Sequence, residues 1–478
     1  MKKQTDLKRR LLFGSGDILG GGAFTLLSLL YLNFLVNTQA LSPGLAGLLL
    51  LIGKLFDAVI DPFLGFLTDR TKSRFGRRRV FFLLGIIPVF VSFILLWYGF
   101  GISDQIGKFI YFLLIYCLFC GASSLVMVPY NALFPEIAPE YDQRTAYMGT
   151  RMLFSIASSI VAGVLPMLIV NRFPDAKSGY LVMGVIFATL YAIPWLFVFF
   201  GTDEQNLQRK YSEQGFLRQY FGVFKNRSFR YYIAVFLTGM AGADLLLALF
   251  IYYITSVIEK PGTFPIAIGV TIIAELIGSQ IWAQVAKKRN KITPIKIGCF
   301  IWVSGMIVCL FITAASPIWL LYVAAILIGI GAISCNQVPW SILPDVVDVG
   351  ELITGKRQEG VYSGIVTFIR QGANALALGL AGLLLELSGY AEAHADGSAA
   401  VQTVETVSAV RLIFVFSPIV FIVIAFILAS RYPLTRRRFA SVLKARELLQ
   451  AGRPLEDEAL KKDIRIIAGV ETEKLWGF

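Results

Sequence analysis

Apolar runs of about twenty residues recur twelve times along this chain, and each is long enough to cross a hydrocarbon core as a helix. In lipid every backbone N–H and C=O must be satisfied within the segment or around a closed barrel. Runs of this length therefore select helices. They fall at roughly 11–36, 43–68, 80–101, 108–134, 146–171, 178–201, 231–258, 263–286, 294–315, 317–343, 361–388 and 408–430. The 478 residues are 56% hydrophobic and 16% charged, with a mean hydropathy of +0.69. A soluble domain carries about 25% charged residues. The expected class is an all-α, multi-pass membrane protein whose principal environment is the lipid bilayer.

The formal charge of +13 is explained by position, without nucleic acid as a partner. Basic residues cluster at Lys2 to Arg10, Arg70 to Arg79, Lys287 to Lys296 and Arg431 to Arg446, each beside an apolar span. The loops after spans 1 and 9 have no Lys or Arg, and residues 389–407 hold Glu392, Asp396 and Glu405. By the positive-inside rule, an even span count puts both termini in the cytoplasm, with the cell (inner) membrane as the expected location. No cleavable signal peptide is expected, because the first apolar run is too long and lacks a small-residue cleavage site. The expected organisation is a six-helix half at 1–201, a cytoplasmic middle loop at 202–230, a second half at 231–430 and a cytoplasmic tail at 431–478. The tail reads as a solvated or headgroup-lying helix.

The two halves carry a repeat. Val128 begins VPYNALFPEIAPEYDQRT near the end of span 4, and Val338 begins VPWSILPDVVDVGELITGKRQEG near the end of span 10. Each has Val-Pro-aromatic, then Leu, Pro and an acid, then a polar loop with Arg. The equivalent placement in each half points to duplication, and two pseudo-symmetric six-helix halves are the major facilitator architecture.

Ionisable residues at membrane depth are costly and mark an ion or substrate path by default. Asp57 and Asp61 are four apart and share a helix face, with Lys54 one turn earlier. Two carboxylates in low dielectric repel, and a shared proton or a monovalent cation such as Na+ relieves that repulsion. Neutral hydroxyls add oxygen ligands, with Ser124 on span 4 a candidate. A structural ion pair, or a kink at Asp61-Pro62, are the plainer readings of the same residues. Further intramembrane charges are Asp17, Arg151, Asp244, Glu275, Arg370 and Arg411. Asp17, Arg151 and Asp244 are candidate solute contacts, Arg151 because a planar guanidinium pairs with carboxylates while donating to hydroxyls. Tyr130 and Trp340 occupy matching repeat positions and are candidates to stack on a sugar face, against the alternative of core or interfacial aromatics. The glycines from Gly14 to Gly22 allow close helix approach. Asp69, Arg70 and Arg77, with Arg357 in the matching loop after span 10, are candidate gating charges, as is Lys54. The five cysteines lie in apolar runs and read as small core residues. His394 has no assigned role. No nucleophile–base pair or metal cluster is visible, so neither an enzyme nor a cofactor is expected.

These residues bring out a resemblance. GSGD at 14–17, FDAVIDPFLGFLTDRTKSRFGRRR at 56–79, PYNALFPE at 129–136 and PDVVDVGELITGKRQEG at 344–360 resemble the glycoside-pentoside-hexuronide:cation symporters, over about residues 7–440. The resemblance implies sugar uptake driven by sodium, lithium or protons. It implies Asp57 and Asp61 as cation-site carboxylates, Lys54 as the basic residue one turn earlier, Ser124 as a hydroxyl ligand and Arg151 as a sugar contact. Some positions depart from the family. Ile60 stands where its melibiose carrier has an asparagine near the cation. Gly21 and Met127 stand where that carrier has galactoside-binding aspartates, and Gln371, also a candidate solute contact, stands at the position of a span-11 lysine. The expectation is a symporter that imports a sugar or glycoside with Na+ or H+ and works as a monomer. The alternative is a carrier of a lysolipid or other amphiphile, as in distant relatives of the same branch.

Overall fold

A computed structural model describes residues 2–71, 73–137, 141–202, 222–356, 358–392, 400–451, 453–470, 472 and 475. Arg357, His394, most of the middle loop and the side chain of Asp69 lie outside the described residues. Every regular element among the described residues is helical. Among the described residues twelve helices are long and apolar enough to span a membrane: α1 Leu7–Asn37, α2 Pro43–Gly65, α3 Arg79–Leu96, α4 Gln105–Phe134, α5 Ala146–Val170, α6 Ala176–Gly201, α7 Arg227–Val257, α8 Pro261–Lys288, α9 Thr293–Phe311, α10 Trp319–Thr354, α11 Glu359–Leu387 and α12 Val404–Ser430. They coincide with the twelve expected spans, with one shift. α10 stays helical through Pro339 and Pro344 and ends at Thr354, where Gly355 takes a left-handed φ of 69°. The second copy of the repeat is therefore helix where the sequence suggested the start of a loop. Prolines and polar caps set several starts. Pro43 opens α2, and Asp175 caps α6 by accepting from the N–H groups of Lys177 and Ser178.

Two compact units divide the chain. One contains residues 1–209, 247–269 and 374–413. Its aromatic centre is Tyr31, Phe34, Trp97 and Tyr180, with the last two stacked at 5.5 Å. α1 is wound as a π-helix at Leu19–Ala23 and Leu27–Tyr31, the kind of irregularity that often marks functional segments. Within this unit α1 also presses on α5. A Cβ at Gly21 would overlap the Ser155 carbonyl and lie 2.8 Å from Ser155 Cα. At the end of the unit away from the basic loops, α2 crosses α11 backbone to backbone. A Cβ on Gly382 would lie 2.5 Å from Gly47 Cα and from the Pro43 carbonyl. Beside this crossing the Tyr390 hydroxyl lies 3.3 Å from Asn37 Oδ1. Chain segments from both halves of the sequence thus close that end of the unit.

The other unit contains residues 210–246, 270–373 and 414–478. α8 and α10 meet at small residues. A Cβ on Gly278 would come within 3.0–3.1 Å of Ile333 and Ile330, and the Trp282 indole donates to the Ile330 carbonyl at 2.7 Å. The tail is part of this unit as two helices, α13 Arg436–Gln450 and α14 Glu458–Ala468. Asp457 caps α14; the N–H groups of Leu460 and Ala459 hold its carboxyl below the usual carboxylate range. Leu460, Ile464, Ile467 and Ala468 are buried, at i, i+4, i+7 and i+8. The Ser228 hydroxyl donates to the Ile467 carbonyl at 2.8 Å, and Arg446 lies 3.3 Å from Asp348 and 3.4 Å from Glu351 at the end of α10. This corrects the reading of the tail as a solvated or headgroup-lying helix. It docks because α14 has an apolar stripe to bury. Ile464→Asp is expected to cost about 2–4 kcal/mol, as a buried unpaired carboxylate replaces core packing. Limited trypsin digestion of the purified protein checks this: the variant should be cut rapidly between α13 and α14, and Lys462→Ser, at an exposed position, should digest like the parent.

Candidate cation and solute sites

The α2 carboxylate Asp57 is 3% exposed, and two groups hold it. Lys54, one turn earlier, lies 3.2 Å from Oδ2, and the Ser124 hydroxyl of α4 donates to Oδ1 at 3.3 Å. The i, i+3 spacing of Lys54 and Asp57 on one helix makes the ion pair local. The Lys54 ammonium also lies 4.2 Å from the centroid of the Phe24 ring on α1. An aromatic face favours a cation there. The cluster thus combines a carboxylate, a hydroxyl and a resident ammonium, shielded from water. These groups are chemically able to hold a monovalent cation or a proton in place of the ammonium. Asp61 lies one helical turn along α2, half-buried and engaged in interactions of its own.

A second cluster lies further along the same helices. Arg151 of α5 grips Asp17 of α1 with Nε on Oδ2 and with Nη2 at 3.2 Å from Oδ1. Its Nη2 also donates to Asn131 Oδ1 at 2.7 Å. The Tyr130 hydroxyl lies 2.9 Å from the Phe13 carbonyl and 3.3 Å from Asp17 Oδ2. The Arg151 guanidinium stands 4.4 Å above the Tyr130 ring. Tyr130 is fully buried, so it braces Asp17 and Arg151 and offers no free face for stacking on a sugar. Asn131, which is exposed, was not singled out in the sequence, although it adjoins Tyr130 in the repeat motif.

In the other unit Asp244 of α7 and Arg370 of α11 form a bidentate pair at 2.8 and 2.9 Å. This geometry gives the strongest form of ion pair. Trp340 is half exposed, with its ring edge-to-face with Phe236 at 5.5 Å. Gln371 is half-buried and engaged in contacts of its own.

The basic loop contributes structure as well as topology. Arg78 is buried and donates to the Ala132 carbonyl of α4 at 2.7 Å, while Arg79 donates to the Phe199 carbonyl at 2.8 Å. Neither was among the gating candidates; Arg70 is exposed and Arg77 half-buried. The other unit has a counterpart. Lys291, in the loop before α9, donates to the Ser341 carbonyl of α10 at 3.0 Å and pairs with Asp345 at 2.8 Å. Ala132 and Ser341 sit four and three residues after Val128 and Val338, so a cation caps the repeat motif at nearly the same place in each half.

Comparisons with known proteins agree with this architecture. The uncharacterized symporter sll1374 of Synechocystis sp. is 29% identical, over 92% of this chain and 96% of its own length. The sodium-dependent lysophosphatidylcholine symporter 1-A of Danio rerio is 26% identical over 97% and 94%. The putative glycoside/cation symporter YagG of Escherichia coli is 25% identical over 94% and 96%. Among solved structures, a bacterial homolog of the human lysosomal transporter Spinster superposes with a TM-score of 0.64 at 13% identity, covering 95% of this chain and 99% of that one. The likeness to that transporter shows the fold. The family model described as MFS/sugar transport protein matches residues 12–436, and the chain belongs to that family.

Proposed function

We propose that this protein is a secondary active transporter that imports a sugar or glycoside together with a monovalent cation, Na+ or H+. The cation site is Asp57 with Ser124 and Asp61, and the solute's hydroxyls meet Arg151, Asp17 and Asn131. One observation carries the reading: the two clusters share α1 and α4. Ser124 and Tyr130–Asn131 are six to seven residues apart on α4, about 10 Å along the helix. Phe24 and Asp17 stand at a similar separation on α1. A cation that draws Ser124 and Asp57 together, displacing Lys54, therefore acts on the same two helices that place Asp17, Tyr130 and Asn131. Ligands coupled in this way tighten each other by the same factor.

Asp244, Trp340 and Gln371 are the proposed contributions of the second half, and Tyr130 acts as a positioning residue. Both clusters lie within one chain, in keeping with a functional monomer.

A specific observation favours a second reading, a carrier of a lysolipid or similar amphiphile. Close packing of α1 on Ser155 leaves no room for a carboxylate at Gly21, and Met127 is apolar, so the two galactoside-binding acids of the family's melibiose carrier are missing. A relative named for lysophosphatidylcholine transport also matches over nearly the full chain.

The test is binding to purified protein in nanodiscs, using a panel of glycosides, sugar acids and lysophosphatidylcholine, with and without Na+, at two pH values. The expected result is a sugar whose affinity rises about 5–150-fold with Na+ or with protons. Binding of lysophosphatidylcholine with no response to any sugar would replace the first reading by the second.

A further inference from the structure

Glu275 is an intramembrane carboxylate that belongs neither to the two clusters nor to the Asp244–Arg370 pair. It lies about 20 Å along α8 from either end. Ile266, Ile273 and Ile277 are exposed on one side of this helix. At 3.6 residues per turn Glu275 lies about 160–200° away from them, on the side that packs against α10, and is itself part-exposed. It adjoins Thr271, Ala274 and Gly278, the residues that meet Gly329, Ile330 and Ile333 of α10. No side chain among the described residues pairs with it or bonds to it.

The elements packed around α8 bring no free charge to this level. On α10 the stretch 325–334 is AILIGIGAIS, with no ionisable group. Cys335, one residue further, contacts Cys299 and Gly239. On α7 the nearest acid, Asp244, is bonded to Arg370 of α11, which is thereby committed. On α5, which meets α8 where Val164 touches Gly269, residues 155–170 are uncharged and Arg151 is held by Asp17. Lys287 and Lys288 lie at the far end of α8, about 20 Å away. An ionised carboxylate with no counter-charge in this setting is costly enough that such groups neutralise instead.

We propose that Glu275 is a proton-binding site of the second half, distinct from the Asp57 cluster, and that it holds its proton while α8 is packed on α10. Movement of α8 that admits water then releases the proton to solvent as H3O+, leaving the carboxylate. In the transport cycle this makes H+ a second coupled ion beside the one at Asp57, an extension that rests on the symport reading. The bound proton itself does not rest on it.

The experiment reads the proton directly. Infrared spectra of the protein in nanodiscs at neutral pH, without any solute, should show a protonated-carboxyl C=O band. Glu275→Gln should remove that band, and Asp57→Asn should retain it. Glu275→Gln should also unfold at the parent's temperature, since a neutral amide reproduces the shape and charge of the protonated acid. A band unchanged in Glu275→Gln overturns the proposal, as does a Glu275→Gln variant that fails to fold, because an uncharged isostere would then be no substitute for the native state. Loss of Na+ response in Asp57→Asn, read by tryptophan fluorescence on the same samples, reports on the symport reading separately.

Discussion

Asp57→Asn is expected to abolish cation-driven accumulation, lowering it by about 100-fold, the size of a coupling free energy near 3 kcal/mol. The amide keeps the shape of the carboxylate and one acceptor for Ser124, but it cannot neutralise a cation. It also removes the counter-charge that Lys54 meets at 3.2 Å. Lys54 is 7% exposed, so the single variant takes a charged partner from a buried ammonium and lowers stability, by less than the about 3–5 kcal/mol of a fully stranded charge because Lys54 keeps its other contacts. The double variant Lys54→Met with Asp57→Asn removes both charges and should restore the parent's thermal stability without restoring coupling. That divergence separates a coupling role from a structural one. The measurements are uptake into proteoliposomes under a Na+ or pH gradient, and unfolding temperature in detergent. Full accumulation in either variant would remove Asp57 from the cation site. A merely structural ion pair predicts instead that the double variant recovers transport together with stability.

What the sequence revealed follows the range of the interactions. The twelve spans were legible because hydropathy over about twenty residues is a local property. Lys54 and Asp57 were legible as neighbours because three residues on a helix fix their distance. Long-range pairing was not. Asp17 and Arg151 are 134 residues apart and Asp244 and Arg370 are 126 apart, so each residue was visible as a costly charge and its partner was not. Gly21 shows the same limit. The sequence recorded a missing carboxylate, and the structure adds that α5 occupies its space. Tyr130 was flagged by its place in the repeat, yet only packing distinguishes a bracing tyrosine from a stacking platform. The stripe of Leu460, Ile464 and Ile467 was present in the chain and short enough to pass for a solvated helix. Arg78 was hidden among the six basic residues of a loop read for topology and gating.

Arg370→Ala is expected to produce the largest loss of stability in the second half. The guanidinium makes two bonds to Asp244, whose side chain is 6% exposed, and the Arg370 side chain is 21% exposed. Alanine deletes both bonds and leaves an aspartate near the middle of α7 without a cation. The cost should be about 3–5 kcal/mol, enough to deplete the protein from the membrane fraction. Asp244→Asn alone should be nearly as damaging, because it strands the arginine. The combination of Asp244→Asn with Arg370→Gln joins two neutral amides that hydrogen-bond to each other, and most of the loss should be recovered. Expression level and unfolding temperature of Asp244→Asn, Arg370→Gln and their combination form a double-mutant cycle, whose coupling energy should be clearly non-zero. A coupling near zero would mean that each charge finds its partner elsewhere, and the bidentate pair would then not be what holds α7 to α11. The same double variant bears on transport. Restored stability with solute binding intact would confine the pair to structure. Restored stability with binding lost would keep Asp244 and Arg370 among the groups that the solute meets.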